Sequence, residues 1–204
     1  MMGCDIHAFG EWRGDDGNWR PTHQWDADEA EWANRIYTER DYSLFALVAG
    51  VDDCCGIAPL FPRRGIPANC CGDVRRAHEA RAKDHHSATW VGLWELLEHD
   101  WTATVTERGL VPLAEYVGWM GMPDTVRPPR PLGGWALGAS GVQEISEEQA
   151  MQFVGAEVAL PVVLVDAAWT VPQWYIAQRF LGQVFGKLGH YGPATTRLVM
   201  WFDN

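Results

Sequence analysis

Alternation of apolar and polar residues opens the chain. From Cys4 to Trp12, Cys4, Ile6 and Ala8 alternate with Asp5, His7, Phe9 and Glu11, and a period of two sends the first set to one face of a strand and the second to the other. Gly14-Asp15-Asp16-Gly17-Asn18 carries turn chemistry and Trp19 to Trp25 predicts the return strand, so residues 3–25 read as a hairpin. Asp26 to Glu39 is acidic and fits a short surface helix. Asp41 to Gly50 predicts a capped helix, with Asp41 at the N-cap, an apolar body and Gly50 past the end. Residues 51–73 hold Gly, Pro and paired cysteines and read as a long structured loop, followed by a charged helix over Asp73–Lys83. Trp90, Leu93, Trp94 and Leu97 then fall at i, i+3, i+4 and i+7, which predicts an amphipathic helix with Ser87 as its cap.

The second half begins with a stretch dense in Pro and Gly, residues 121–143, read as a loop or lid. Ser146-Glu-Glu-Gln149 is a capping box that opens a short helix to about Val154. Val158 to Trp169 is a β-rich run in which Pro161 argues for an edge position or a bulge. Thr170 to Leu188 predicts the longest helix, with Pro172 in its first turn, a stripe of Trp174, Ala177, Leu181, Val184, Phe185 and Leu188, and Gly189 as its stop. Arg197 to Phe202 is a last strand running into Asp203-Asn204. The expected fold is a single α+β domain over residues 1–204. Its N-terminal β-hairpin and C-terminal strands form one mixed or antiparallel sheet covered by helices, with the lid around 121–143.

Composition narrows the function. A length of 204 residues with 47% apolar and 21% charged residues is a globular balance, able to build a core without disulfides or metal. The net charge of −11 argues against a sequence-independent grip on nucleic acid, yet leaves room for a small anion held by a few arginines. There is no apolar run long enough to cross a membrane and no signal-peptide pattern, so a cytoplasmic setting is expected. The 12 Trp serve either as core filler or as walls that stack on a flat ligand. Cys54-Cys55 and Cys70-Cys71 lack the spacing of a usual zinc site, which favours free thiols over structural zinc, and Cys4 fits a small core position.

Three polar groups carry candidate chemistry. Asp5-x-His7 projects two ligand-type side chains from one strand face with Glu11 further along it, suiting a metal or an acid–base pair, although polar residues on a solvated hairpin face give the same pattern. Asp84-His85-His86-Ser87 sits where a neutral imidazole can act as ligand or base, with a surface or capping histidine as the plainer alternative. Asp203 leaves the final strand, either aimed into a cleft or merely solvated. Arg63-Arg64-Gly65, with Arg40 or Arg127, offers a phosphate grip, and Trp90 a stacking surface. No Walker loop, dinucleotide fingerprint, nucleophile elbow or zincin helix is present.

Met2-Gly3-Cys4-Asp5-Ile6-His7, Arg40 to Val51, Arg64-Gly-Ile-Pro67, His86-Ser-Ala-Thr-Trp90 and Arg197 to Asn204 together resemble a family of uncharacterised bacteriophage and bacterial proteins. Residues 102–150 and the Cys pairs lie outside that resemblance. It implies a phage-type context, and its motifs coincide with the polar clusters above.

The expected activity is hydrolysis of a phosphodiester or glycosidic bond in a small nucleotide, such as a host-defence signal. Catalysis would fall to His7, His86 and Glu11. Arg40, Arg64 and Trp90 would bind ligand, and Asp5, His7, His86 and Asp203 would hold a divalent Zn, Mn or Mg ion. A nucleotide-sequestering homo-oligomer and an acidic inhibitor of a basic host protein are the alternatives.

Overall fold

A computed structural model describes residues 4–23, 34–51, 57–61, 63–122, 132, 143–154 and 163–203. The fold is α+β. The first sheet is antiparallel, in the order β2-β1-β7-β3, from β1 (Asp5–Arg13), β2 (Trp19–Pro21), β3 (His85–Gly92) and β7 (Thr196–Asp203). The hairpin forms, with Glu11 opposite Pro21 and Arg13 opposite Trp19, but its return strand is shorter than expected and ends at Pro21; residues 24 and 25 lie outside the described residues. The last strand pairs with the first along its length, Asp5 opposite Asp203 through Trp12 opposite Thr196.

A second sheet, which the sequence pattern did not announce, has the order β4-β6-β5 from β4 (Thr104–Pro112), β5 (Gln143–Ser146) and β6 (Val163–Pro172). The β-rich run thus continues to Pro172 and is the middle strand of its sheet, not an edge; Pro161 lies outside the described residues. Four strands pass straight into helices. β3 leads into α3 (Leu93–Glu98), β4 into α4 (Leu113–Met120), β5 into α5 (Glu147–Ala150) and β6 into α6 (Gln173–Leu188). Pro112 and Pro172 stand at two of these junctions, the last residues of their strands, where a fixed φ suits entry into the helix.

Locally encoded helix ends are confirmed. α1 (Tyr42–Ala49) starts at Asp41, whose Oδ1 accepts from the Leu44 N–H at 3.1 Å, and ends at Gly50 in the left-handed region, φ 63°. Ser146 and Gln149 close the capping box. α2 (Gly72–Ala80) is the predicted charged helix. The helix read from Ser87 is corrected: residues 85–92 are strand β3, paired with β7, and only 93–98 are helical. Its supposed apolar stripe is half outside, with Trp94 48% and Leu97 55% exposed. β-branched Thr89 and Val91 and the free edge of β7 outweigh the helical spacing. The buried stripe of α6 is Ile176, Ala177, Phe180, Val184 and Leu188, with Trp174 turned outward. Residues 35–39 form no α-helix and meet β1 through one bridge, Tyr37 opposite Ala8, where Ile36 N–H donates to Ala8 O at 2.6 Å; residues 26–33 of the acidic segment lie outside the described residues.

The two faces of the first sheet are covered differently. Ile6, Ala8, Met200 and Phe202 pack into a core continuous with Val111, Val165 and Trp169 of the second sheet. α1, buried from Ser43 to Ala49, lies within that core: Phe45 packs edge-on to Phe202, and Ser43 hydrogen-bonds Glu107 of β4, which also accepts from Trp169 Nε1 at 2.9 Å. Phe9, Val199 and Trp201 on the opposite face are capped by Val74 and Ala77 of α2. On that face the Glu11 carboxylate is fully buried. It accepts from Arg197 Nε at 2.7 Å and from the Cys71 N–H at 2.6 Å. Removing one member of such a pair strands the other charge, so Glu11→Gln is expected to lower unfolding free energy by about 3–5 kcal/mol in urea titration.

Candidate functional site

The antiparallel register places Asp5, His7, Phe9 and Glu11 of β1 on the α2 face, with Asp203, Trp201, Val199 and Arg197 of β7 beside them. His85 of β3 stands opposite Asp203 and so joins the same face. His86, one residue on, stands opposite Phe202 and belongs to the α1 face, where its ring stacks near Phe202 and its Nδ1 meets Ser87 Oγ at 3.0 Å. The pairing of His86 with Asp5, His7 and Asp203 is therefore corrected: the neighbouring histidine, His85, occupies that place. Ser87 is not a helix cap. It sits at φ 54° in a bulge between His86 and Thr89, where two residues of β3, Ser87 and Ala88, oppose Trp201 of β7.

His7, His85 and Asp203 bring their ligand atoms within 4.8 Å of one another, the one such group of three His, Cys, Asp or Glu among the described residues. His85 Nδ1 lies 2.8 Å from the His78 carbonyl, which can only accept, so the proton is on Nδ1 and the lone pair on Nε2. His7 Nε2 lies 3.0 Å from Asp203 Oδ2 and 3.3 Å from Arg35 Nη2. Trp201 forms the floor, stacked at 18° to His7 with centroids 5.6 Å apart, and its Nε1 has no acceptor among the described residues. His78 of α2 lies edge-on to Trp201, and burial, then the nearby His85, pushes its imidazole below its ordinary range, which keeps it neutral.

Two imidazoles and a carboxylate are three protein ligands, the number that catalytic zinc sites use. Tetrahedral coordination at about 2.0–2.1 Å sets ligand atoms roughly 3.3 Å apart, within reach of the observed spacing by small side-chain rotations. Asp5 lies next to this group but is bound through both oxygens by Arg40, whose hydrogen bonds hold its carboxyl below the usual range.

The other predicted residues are placed elsewhere. Glu11 is a buried partner of Arg197, not a base facing substrate. Arg64 is taken by Glu95 in a bidentate pair, 2.7 and 2.6 Å, and lies over the Trp90 ring at 4.7 Å, so the phosphate grip expected of it is internally satisfied. Trp90 and Trp19 flank the buried Arg197 guanidinium, at 5.7 and 3.7 Å, which makes these tryptophans walls for an internal cation. Arg63 donates to the carbonyls of Ala49 and Gly50, and Arg127 lies outside the described residues. Cys4 is a core residue as expected. Cys70 and Cys71 are free thiols, and burial pushes Cys71 up to about 12; Cys54 and Cys55 lie outside the described residues.

Arg35 is the site residue that sequence reasoning missed, because its segment shows no periodicity and only the bridge to β1 brings it to His7. No family model, no curated protein and no solved structure matches the chain.

The Arg64–Glu95 pair gives a signed pH dependence. Arg64 holds the Glu95 carboxyl below its ordinary 4.5, so the stabilisation is complete above that value and fades as pH falls through the folded one. Wild type is expected to exceed Glu95→Gln by about 0.5–1 kcal/mol near neutrality, and the gap to shrink below about pH 4.5, in paired thermal melts.

Proposed function

We propose that the protein is a small hydrolase acting on a phosphodiester or glycosidic bond of a nucleotide, with His7, His85 and Asp203 holding a divalent cation. The convergence of these three ligand atoms carries this reading. Two imidazoles favour Zn or Mn over Mg, which prefers an all-oxygen shell. A cation there supplies a Lewis acid and brings the pKa of a bound water to near 7. Without it, the His7–Asp203 contact at 3.0 Å is an oriented imidazole able to act as general base.

The resemblance noted in the sequence supports a phage-type role in the host cytoplasm, with a host-defence nucleotide as substrate. Among the described residues no helix is long and apolar enough to cross a membrane. Homo-oligomerisation belongs to the sequestering alternative, which would rest on aromatic and Arg surfaces. The Arg64 and Arg197 guanidiniums both lie against the Trp90 ring, and this weighs toward the catalytic reading.

The test combines metal analysis with a mass balance. Protein dialysed against Zn or Mn is expected to retain one ion per chain, and His7→Ala and His85→Ala to lose it. Incubation with cyclic and linear nucleotides should yield a product mass that persists after heat denaturation. Turnover should fall by about 10²-fold or more in Asp203→Asn, while His86→Ala stays within a few-fold of wild type. Recovery of intact nucleotide after denaturation establishes the sequestering protein instead, and no loss of any nucleotide removes both.

A further inference from the structure

α3 is apolar on two sides. Leu93 and Leu96 enter the core, while Trp94 and Leu97, about one turn apart, stand outside it. The outward side is apolar surface that the fold leaves uncovered. Next to it α6 opens with Trp174, 45% exposed, although the stripe of that helix faces inward. Trp101 joins the two helices. Its indole Nε1 donates to Leu96 O at 2.7 Å, and its carbonyl accepts from the Trp174 N–H at 2.9 Å. Single exposed apolar residues are ordinary on a protein surface, but two indoles and a leucine around a third indole are the material of an interface.

The charges beside this face have one sign. Residues 93–106 contain Glu95, Glu98 and Asp100 and no Lys or Arg, in a chain of net charge −11. Glu95 is spent on Arg64. Glu98 is exposed and makes no ion pair among the described residues. Asp100 is exposed too. Thr102 donates to it from its N–H at 3.0 Å and from its hydroxyl at 2.6 Å, which holds the carboxyl below its ordinary range and keeps it ionised at neutrality. Arg179, further along α6, is paired with Glu39. The indoles add to the same preference, because an aromatic face attracts a cation. The chain makes this contact internally, with Arg20 over Trp12, Arg64 over Trp90 and Arg197 over Trp19. Trp94 and Trp174 carry no cation among the described residues.

We infer that the Trp94–Leu97–Trp174 face is a docking surface for a protein segment that carries Arg or Lys beside a bulky apolar side chain. The apolar side chain covers Leu97 and the indoles, and the cation meets an indole face and the carboxylates of Glu98 and Asp100. A second copy of this chain would bring these carboxylates against their like, and an anionic membrane would be repelled in the same way. None of these residues belongs to the His7–His85–Asp203 group, so the inference stands apart from the metal-centre reading.

Two short synthetic peptides of equal length test it against the whole chain by fluorescence anisotropy. One sets Leu and Trp among Arg, and the other sets the same Leu and Trp among Glu. The Arg peptide is expected to bind and the Glu peptide to bind about tenfold or more weakly, with added salt narrowing the gap. Trp94→Ala and Trp174→Ala should each weaken the Arg peptide about tenfold or more, and Glu98→Lys about threefold or more. Met151→Ala, which removes an exposed apolar side chain after α5, should match wild type. Equal binding of the two peptides, no binding of either, or wild-type affinity in both Trp variants overturns the inference. So does a parallel loss in Met151→Ala, which marks general adhesion. A wild-type dimer in sedimentation that Trp94→Ala makes monomeric assigns the face to a second copy instead. Wild-type binding to neutral phosphatidylcholine vesicles that Trp94→Ala abolishes assigns it to a membrane, and either result overturns the peptide reading.

Discussion

The pairing of the first strand with the last governs where every candidate group stands. Ladder bonds run from Asp5–Asp203 to Trp12–Thr196, joining chain ends almost two hundred residues apart, and a slip of one residue would turn His7 and Asp203 to opposite faces. The buried pair of Glu11 with Arg197 specifies that register. Both are directly opposed, at 0% and 4% side-chain exposure, and any other alignment would leave two charges buried without partners. The Cys71 N–H on the second Glu11 oxygen and Asn69 Oδ1, which accepts from Arg197 Nη1 at 3.0 Å, tie the loop before α2 to the same point. The residue that looked like a catalytic base is thus the one that aligns the site from the far end of the strand.

A second constraint acts on β3. Counting back from buried Thr89 and Val91 by twos, an unbroken strand would send residues 87 and 85 into the α1 core and His86 toward the site. The bulge at Ser87-Ala88 reverses that parity. His85 therefore faces His7, His78 and Asp203, while His86 lies over Phe202. A serine at positive φ is uncommon, and its cost, about 1–3 kcal/mol, is borne where it changes which histidine reaches the cluster.

What was legible in the sequence follows from the range of the interactions. Asp41, Gly50, Ser146 and Gln149 act within one turn of their own helices, and the Cys4–Trp12 alternation needs only a sheet to face. Those elements stand where the pattern puts them. Trp90 and Leu93 satisfy helical spacing equally well, but Trp90 is a strand residue whose ring lies over Arg197, a partner more than a hundred positions away. The second sheet was hidden for the same reason: β4 and β6 pair from Thr104–Pro172 to Pro112–Leu164, and each ends in a helix without the Gly- or Asn-rich turn that marks a strand end. Of the candidate site, Asp5, His7 and Asp203 were visible from chemistry on predicted strands. The choice of His85 over His86 depends on the bulge, and Arg35 depends on a short bridge between its segment and β1.

His7 binds these observations into one physical picture. Its ring is almost wholly enclosed, stacked on Trp201 and edged by His85, with Asp203 Oδ2 and Arg35 Nη2 both at its Nε2. A buried imidazole has to keep hydrogen-bond partners, because an unmet one costs about 1–3 kcal/mol. The surrounding elements hold it there: Trp201 from beneath, the His78 carbonyl fixing the tautomer of His85, and Lys187 fixing the backbone of Arg35. The enclosure of His7 by Trp201, His85, Asp203 and Arg35 is therefore the joint product of three strands and the segment before α1, and it exists only in the register that the Glu11–Arg197 pair sets.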